Sequence, residues 1–381
     1  MQVLIVGGGI AGLSTAIALK QKGIEAEIIE KASSWRSGGA GLHLPGNAVV
    51  PMERLGIRTD VESQSFAFPE IRYCDQKDSK LFSLDLSDGS WPAFQAISRD
   101  TFHKILVEKA GNVPVRFGIE IKTLSQEEGS PDSLSKVEFS DGKTVEYDLV
   151  IAADGINSAT RGMLFGSELQ PQSAGITCWR WITEIEGLSE PHFMLGRGKI
   201  LLLMPISSGR AYVFASITDP NGKYASLNNE AVNNDVIRRE FAEFGGAVPH
   251  ILKRLEQDGP VLPGQLQQML VPEWVKGACV LVGDAAHGTL PTMAQGASMA
   301  MEDALVLAEE LDAKSSIEKA LAAYQTRRIE RAQWVQHQSL KRMGLARLKA
   351  RTLIFLRNKL MKAAGAKILA SGWRPLIDQD F

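Results

Sequence analysis

The feature that most constrains this chain is a glycine-rich turn placed directly after its first apolar residues. Residues 1–6 form a short branched apolar run, which is typical of a buried parallel strand. The turn that follows, Gly7 to Gly12, has Gly-x-Gly-x-x-Gly spacing. A helix is predicted from Ile10 to about Lys22, and a second strand over Ala26–Glu30. Together these elements predict a strand-helix-strand unit with a tight turn at its start.

Each of the three spaced glycines of this turn has its own physical role. Gly7 permits the tight turn, Gly9 lets a pyrophosphate approach the backbone, and Gly12 lets the helix pack closely on the strand. The N-terminus of the helix directs free N–H groups at the phosphates. Glu30 ends the second strand, 18 residues after Gly12, where a carboxylate accepts hydrogen bonds from an adenosine ribose. The alternative, a glycine-rich surface turn, does not account for the flanking strands and helix.

Composition fits an enzyme with a large core. The chain has 381 residues, long enough for two domains, with 44% hydrophobic and 23% charged residues. A formal net charge of −2 argues against nucleic acid as a partner. The three cysteines are widely spaced and fit neither a metal site nor a disulfide framework, so we expect no metal and a reducing, cytoplasmic location. The first strand leaves no room for a signal peptide.

The pattern of strands and helices predicts an interleaved α/β architecture. We expect a Rossmann-like dinucleotide-binding domain, a smaller β-sheet substrate domain and C-terminal helices. The boundaries are residues 1–70, 97–165 and 267–335 for the first domain, 71–96 and 166–266 for the second, and 336–381 for a helical tail. Ser98 is a good N-cap for a helix at its C-terminal side. Strands are predicted over residues 115–121 and 135–139, with Asp141 and Gly142 in a hairpin turn. Residues 147–153 are predicted to form one buried strand that leads into Asp154.

Four ordered motifs resemble those of one family. They are Gly7 to Gly12, Asp154 to Arg161, Gly283 to His287, and Pro291 to Ala297 with Met301 to Ala304 after it. Over residues 1–335 the chain resembles the single-component FAD-dependent aromatic hydroxylases, which include 4-hydroxybenzoate, salicylate and 6-hydroxynicotinate hydroxylases. The resemblance implies a monooxygenase that uses NAD(P)H and O2 to hydroxylate a small aromatic or heteroaromatic substrate through a flavin C4a-hydroperoxide.

The resemblance also implies which residues bind FAD. Asp284 would bind the ribityl hydroxyls, Asp154 and Gly155 would lie near the pyrophosphate, and Arg99 would reach the cofactor. Pro291 to Ala297 would place backbone N–H groups beside the flavin. The full set is Gly7, Gly9, Ala11, Gly12, Glu30, Lys31, Gly41, Arg99, Asp154, Gly155, Asp284, Pro291, Gly296 and Ala297. Ala294 departs from the family, where a glycine is common, and a methyl should be tolerated there unless the backbone needs a positive φ.

Two residues are candidate catalytic groups in the substrate pocket. The segment Gly39 to Leu44 resembles one that passes near the flavin ring, and His43 matches a substrate-contacting histidine of the hydroxynicotinate branch. Its pKa near working pH would let it polarise or deprotonate a ring hydroxyl, although a structural histidine fits equally well. Tyr212 matches a substrate-binding tyrosine, with a packed strand residue as the alternative. The urate-oxidising branch has a basic residue near Ile200 and an acid near Thr292, and this chain has neither.

Other function classes stay open at this point. They are a same-fold flavoprotein epoxidase or dehydrogenase acting on a non-aromatic substrate, and a flavin-binding regulatory protein. A halogenase is disfavoured because Trp179 and Trp181 are not followed by the Ile-Pro spacing of that class. No second Gly-x-Gly-x-x-Gly with a strand and helix is present for the nicotinamide nucleotide, which disfavours disulfide reductases.

The last part of the chain is a basic helix with apolar residues at helical spacing. Such a helix can lie on an anionic membrane surface, but packing against the FAD domain or a partner subunit is favoured. We therefore expect a monomer or homodimer whose partners are a small aromatic substrate and O2.

Overall fold

The structure, a computed structural model, describes residues 1–35, 40–126, 134–225, 227 and 229–381. The strands are β1 (Val3–Val6), β2 (Ala26–Glu30), β3 (Gly41–Leu44), β4 (Phe66–Ala67), β5 (Glu70–Asp75), β6 (Lys80–Asp85), β7 (Gln95–Ser98), β8 (Val115–Phe117), β9 (Ile121–Gln126), β10 (Ser135–Phe139), β11 (Thr144–Tyr147), β12 (Leu149–Ala152), β13 (Gln172–Glu184), β14 (His192–Leu195), β15 (Lys199–Ser207), β16 (Arg210–Thr218), β17 (Leu262–Gln268), β18 (Val275–Lys276) and β19 (Cys279–Leu281). The helices are α1 (Ile10–Gln21), α2 (Val49–Arg54), α3 (Arg58–Gln64), α4 (Arg99–Ala110), α5 (Ala159–Phe165), α6 (Glu230–Phe241), α7 (Val248–Lys253), α8 (Asp284–His287), α9 (Gly296–Ala313), α10 (Ile317–Ala346) and α11 (Arg351–Asp378).

The first large sheet carries the glycine-rich turn. Its six strands are in the order β18-β19-β12-β1-β2-β8, and every neighbouring pair is parallel except β18 with β19. The strands β1 and β12 are buried along their full length, as their branched apolar composition predicts. The helix α1 follows the turn and packs against α4 and α9. The predicted strand-helix-strand unit is confirmed, with the helix ending one residue earlier than expected.

Local sequence signals are confirmed at two further sites. Ser98 caps α4, since its hydroxyl accepts a hydrogen bond from the Thr101 N–H at 3.1 Å. The predicted hairpin is β10 and β11, with Gly142 at φ 83° in its turn. The interpretation of residues 147–153 as one strand is wrong at its start. Tyr147 ends β11, and only the residues after Asp148 join the parallel sheet.

The second large sheet has seven strands in the order β17-β13-β16-β15-β14-β5-β6. Its strand pairs are antiparallel except for β14 with β5. Successive side chains of a strand alternate between the two faces. One face holds Trp179 and Trp181 in a core with α6 and α7, while Arg180, between them, faces the other side, where the two sheets approach. This alternation explains the tryptophan pair without a halogenase motif.

The C-terminal helices are part of the body of the protein. The long helix α10 packs on α9, and it runs through residue 336, where the sequence placed the start of a tail. The helix α11 packs on β6 and buries Met361, Leu369 and Trp373. The helix α11 therefore packs chiefly on the second sheet rather than on the FAD domain as expected, and it also contacts the short turn Gly46–Ala48 of the first predicted domain. Across the described part of the chain, no helix is both long and apolar enough to cross a bilayer.

Candidate active site

A cavity of about 500 Å³ lies between the two large sheets. It is bounded by the glycine-rich turn, by the segment before and at the start of α9, by the open face of the second sheet, and by α10 and α11. The predicted site residues that line it are Gly9, Ala11, Gly41, His43, Arg99, Gly155, Tyr212, Asp284, Pro291, Gly296 and Ala297. Those that lie outside its lining are Gly7, Gly12, Glu30, Lys31 and Asp154. Gly39 lies outside the described residues.

The glycines of the first turn are required by close backbone approach. A Cβ at Gly12 would lie 1.9 Å from the carbonyl oxygen of Gly7, so only glycine lets α1 start here. Gly7 has φ 106°, and a Cβ there would lie 2.7 Å from the carbonyl oxygen of Ala153. At Gly9, by contrast, no atom lies within 4 Å of an added Cβ. The open space beside Gly9, at the N-terminus of α1, fits a pyrophosphate group.

Glu30 is held beside this turn. Its carboxylate accepts hydrogen bonds from the N–H of Gly8 at 3.0 Å and from the N–H of Ala32 at 2.9 Å. A carboxylate has lone pairs beyond these two bonds, so the fixed group retains capacity to accept a hydrogen bond from a ribose hydroxyl. Lys31 follows it on the exposed surface at the end of β2.

Asp154 has a different position from its neighbour Gly155. The Asp154 carboxylate accepts hydrogen bonds from the Ser158 hydroxyl and from the Thr160 N–H, the latter at 3.0 Å, so it fastens the start of α5. Gly155 lines the cavity with φ 82°. Arg161 is buried and donates to the carbonyl oxygens of Ile156 at 2.8 Å and Ala285 at 3.0 Å. Arg161 therefore connects the Asp154–Arg161 motif to the Gly283–His287 motif. Asp154 fixes the loop before α5 without lining the cavity.

Asp284 lines the cavity, and its side chain is exposed to that space. Desolvation raises the pKa of its carboxyl group, and the positive charges of His287 and Arg99 oppose that shift. The preceding residue, Gly283, has φ 59°. Arg99 lines the cavity and is exposed, and its backbone N–H donates to the Ala40 carbonyl at 2.8 Å. The carboxylate is thus a cavity-facing acceptor with a guanidinium near it.

A fully buried ionic network holds Gly283 and Asp284 in place. Asp303 accepts from the Gly283 N–H at 2.8 Å, contacts His287 Nε2 at 2.6 Å and accepts from Arg328 Nε at 2.8 Å. These partners lower the pKa of Asp303 to about 2, against the opposing effect of burial. Glu302 pairs with Arg328 at 2.8 Å. Sequence reasoning included Glu302 and Asp303 in a motif but missed Arg328, which lies one helix away.

The segment from Pro291 to Gly296 turns the chain into α9. Pro291 starts a short 3-10 turn, and Gln295 precedes the first residue of the helix. The N-terminus of α9 therefore lies at the cavity, where its N–H groups and dipole favour negative charge. Ala294 has φ 55° and ψ 34°, in the left-handed region. The backbone at Ala294 thus has the positive φ that was the stated exception, so the methyl group carries a steric cost there.

His43 lies among aromatic rings and is partly exposed to the cavity. Its ring centroid lies 5.5 Å from that of Phe68, 5.9 Å from Phe94 and 6.0 Å from Trp373. Desolvation lowers the pKa of His43 to about 3, so the ring is neutral at physiological pH. The expectation of a pKa near working pH is therefore wrong, because sequence does not report burial. Its Nε2 atom has no hydrogen-bond partner among the described residues.

Tyr212 packs against the strand that carries His43. A Cβ at Gly41 would lie 2.5 Å from Cβ of Tyr212, so glycine lets the two strands meet. Burial raises the pKa of the Tyr212 hydroxyl, which keeps it protonated. Both candidate catalytic residues thus line the cavity as neutral groups.

The C-terminal helices supply lining residues that sequence reasoning did not assign to the site. Arg342, Met361, Leu369 and Trp373 all line the cavity. Arg342 is stacked 4.9 Å from the Trp373 ring and donates to the Leu369 carbonyl at 2.9 Å. The helical spacing of apolar residues indicated a buried face but gave no indication of what it would cover.

These residues fit FAD. The space at Gly9 and the cavity-facing carboxylate of Asp284 are joined by one cavity that also reaches the start of α9. The N–H groups at the start of α1 suit the phosphates, and the Asp284 carboxylate suits the sugar hydroxyls. The N-terminus of α9 suits the electron-accepting ring. The constellation is therefore a cofactor site continuous with a largely apolar pocket.

Comparison with known proteins agrees with this geometry. A family model described as "FAD binding domain" matches residues 1–339. The FAD-dependent urate hydroxylase of Klebsiella pneumoniae is 30% identical, over 91% of this chain and 90% of its own length. The aurachin C monooxygenase/isomerase of Stigmatella aurantiaca is 28% identical, over 92% of this chain and 97% of its own. The crystal structure of Klebsiella pneumoniae HpxO complexed with FAD and uric acid superimposes with a TM-score of 0.88, at 27% identity, covering 99% of this chain and 97% of that one.

Proposed function

Because this chain belongs to the FAD-binding family of monooxygenases and hydroxylases, we propose that it uses NAD(P)H and O2 to hydroxylate a small aromatic or heteroaromatic compound. The observation that carries this proposal is the single cavity that joins the FAD-binding motifs to an apolar and aromatic pocket under the second sheet. When bound, FAD supplies the redox chemistry, and the protein supplies binding, orientation and exclusion of water.

The residues around the cavity would bind different parts of FAD. Asp284 would accept hydrogen bonds from the cofactor's sugar hydroxyls, with Arg99 nearby to balance its charge. The N-terminus of α9 would stabilise negative charge that develops on the reduced ring. Gly7, Gly12, Glu30 and Asp154 would act by fixing the backbone around the phosphates and ribose.

His43 would orient the substrate as a neutral hydrogen-bonding group. Its place in the cavity lining and its lowered pKa support this role over that of a charged acid or base. Tyr212, on the neighbouring strand, would offer its protonated hydroxyl or its ring to the same ligand.

Urate is not the substrate that these residues favour, although the relatives include urate hydroxylases. Ile200 and Thr292 line the cavity near the positions where the resemblance places a basic residue and an acid in the urate branch. An aliphatic side chain and a hydroxyl cannot replace those charges. We therefore propose a less polar aromatic ring.

The test is a screen of the FAD-loaded protein against phenols, aromatic acids and heteroaromatic hydroxy compounds. NAD(P)H oxidation, hydrogen peroxide and product would be measured for each compound, with urate included. A ligand that accelerates NAD(P)H oxidation and appears with one added oxygen supports the proposal. Acceleration with a dehydrogenated product, or no response to any ligand, contradicts it.

His43→Ala sharpens this test. We expect it to lower product formed per NAD(P)H consumed while FAD binding changes little, because the ring lies among substrate-side aromatics. Equal coupling in the variant and the parent would remove His43 from the mechanism.

A further inference from the structure

The second sheet presents one continuous row of side chains to the cavity. The strand register aligns one residue from each of six neighbouring strands, and all six side chains line the cavity. In order across the sheet they are Arg180, Phe214, Leu202, Phe193, Tyr73 and Phe82. Neighbouring strands lie about 4.8 Å apart, so five spacings give a floor about 24 Å long. This floor is far longer than one aromatic ring.

The floor changes character along its length. Arg180 provides a charge at one end, next to the strand that carries Tyr212. At the other end the Tyr73 ring is stacked between two others, 4.8 Å from Phe193 and 4.7 Å from Phe82. The three stacked rings form an aromatic half that offers dispersion contacts and a surface that water wets poorly.

The helix α11 covers this aromatic half. A Cβ at Gly365 would lie 2.3 Å from the Phe82 ring, so a glycine lets the helix lie directly on it. Met361 and Leu369 line the cavity from the same helix. Ile368 also lines it and is 40% exposed, so the cavity reaches the protein surface at that residue.

Arg342 lies beside this half, and its Nη1 atom has no hydrogen-bond partner among the described residues. The Arg342 guanidinium lies on the Trp373 ring and donates to the Leu369 carbonyl. The stacked rings of Tyr73, Phe193 and Phe82 and the apolar side chains of α11 bound a mostly apolar part of the cavity.

We propose that the substrate carries an apolar substituent of several carbons, an alkyl or prenyl chain, that lies on this aromatic half beneath α11. The inference rests on the proposed function, because it takes the ring to be hydroxylated to lie beside His43 and Tyr212. The substituent extends from that ring over Leu202 and Phe193 towards Phe82. Its burial supplies binding free energy that the small ring alone does not.

The test is a series of 4-alkylphenols with zero, one, three, five, seven and nine carbons in the chain. Each is titrated into the FAD-loaded protein, and binding is followed by the flavin absorbance spectrum, which reports ligands beside the cofactor. Affinity rises about fourfold per methylene, equivalent to about 0.8 kcal/mol, until the chain reaches the end of the floor. An affinity that is flat or falls with chain length overturns the inference.

Two variants at one position predict opposite shifts. Phe193→Trp narrows the middle of the aromatic half, so the rise in affinity ends at a shorter chain. Phe193→Leu widens it, so the rise continues to a longer chain. Because Phe193 itself lines the cavity, each affinity is expressed relative to that of phenol in the same protein. Thermal unfolding of each variant checks that the fold is retained, and a chain-length limit that is the same in all three proteins overturns the inference.

Product analysis separates this inference from the proposed function. If short and long phenols are hydroxylated with equal kcat/KM, the apolar-chain site is wrong and the hydroxylase function stands. If affinity follows chain length but no ligand yields a hydroxylated product, the site stands and the hydroxylase function falls.

Discussion

The indole Nε1 of Trp373 donates a hydrogen bond to the backbone carbonyl oxygen of Met293, 3.1 Å away. Trp373 lies near the end of α11, and Met293 lies in the turn that leads into α9. This bond connects the last helix of the chain to the segment that we expect beside the flavin. The same indole ring stacks edge-on against Phe94, at 5.1 Å, and so closes one wall of the cavity.

Replacing Trp373 should therefore affect both stability and the site. Trp373→Ala removes a side chain that is 2% exposed and leaves a void, at an expected cost of about 3–5 kcal/mol in the free energy of unfolding. Trp91→Ala, at a half-buried ring, is the control and should cost less. Urea unfolding measures both.

Removing residues 341–381 should prevent folding altogether, and a truncated protein that remains folded and active would contradict this role of α11.

Asp284 provides a test of cofactor retention. Asp284→Ala leaves sugar hydroxyls of the flavin without their acceptor in a buried site, and FAD binding should weaken by about 1–3 kcal/mol. Titration of the apoprotein with FAD measures the dissociation constant. Asp284→Asn keeps a carbonyl acceptor at the same place and should lose less. Unchanged flavin occupancy in the alanine variant would rule out this contact.

The left-handed backbone of Ala294 predicts a stabilising substitution. Ala294→Gly should raise the free energy of unfolding by about 1 kcal/mol, because glycine adopts φ 55° without the steric cost of a Cβ. Ala322→Gly, at an exposed position within α10, is the matched control and should lower stability by about 1 kcal/mol. Two changes of the same sign would show that Ala294 is not strained.

Burial of His43 predicts a specific pH dependence of stability. An unfolded histidine takes up a proton below about pH 6.5, whereas the folded pKa of His43 is about 3. Protons then bind the unfolded state preferentially, so stability falls as pH is lowered through this window, by roughly 2 kcal/mol at pH 5. His43→Asn should flatten the curve of unfolding free energy between pH 7 and 4. His250→Asn, at an exposed histidine, should leave the curve unchanged.

Asp303 should be the costliest single charge to remove. Asp303→Asn leaves Arg328 buried beside one carboxylate instead of two and weakens the contact with Gly283, at an expected cost of about 3–5 kcal/mol. Since its pKa is lowered to about 2, its contribution is present above about pH 4 and is lost as pH falls towards 2. Chemical unfolding at pH 7 measures the loss. A change below 1 kcal/mol would mean that the network does not hold this loop.

Local sequence signals predict much of the fold. The glycine spacing at Gly7 to Gly12 predicted a turn that only glycine can make, and the structure shows the backbone contacts that require it. The capping hydroxyl of Ser98 and the hairpin turn at Gly142 were likewise readable, because caps and turns depend on residues near each other in sequence.

The sequence by itself determined the βαβ unit, the FAD motifs and the alternation of the strands, because these depend on short-range sterics and on the period of apolar residues. Tertiary structure alone decided that α11 covers the cavity and that the Asp154 carboxylate accepts a hydrogen bond from the start of α5. It also decided that the backbone of Ala294 adopts the left-handed conformation. It also decided that His43 is neutral, since a pKa depends on desolvation by residues distant in the chain, such as Phe94 and Trp373. Periodicity shows that a face is buried, whereas only the packed structure shows which site it completes.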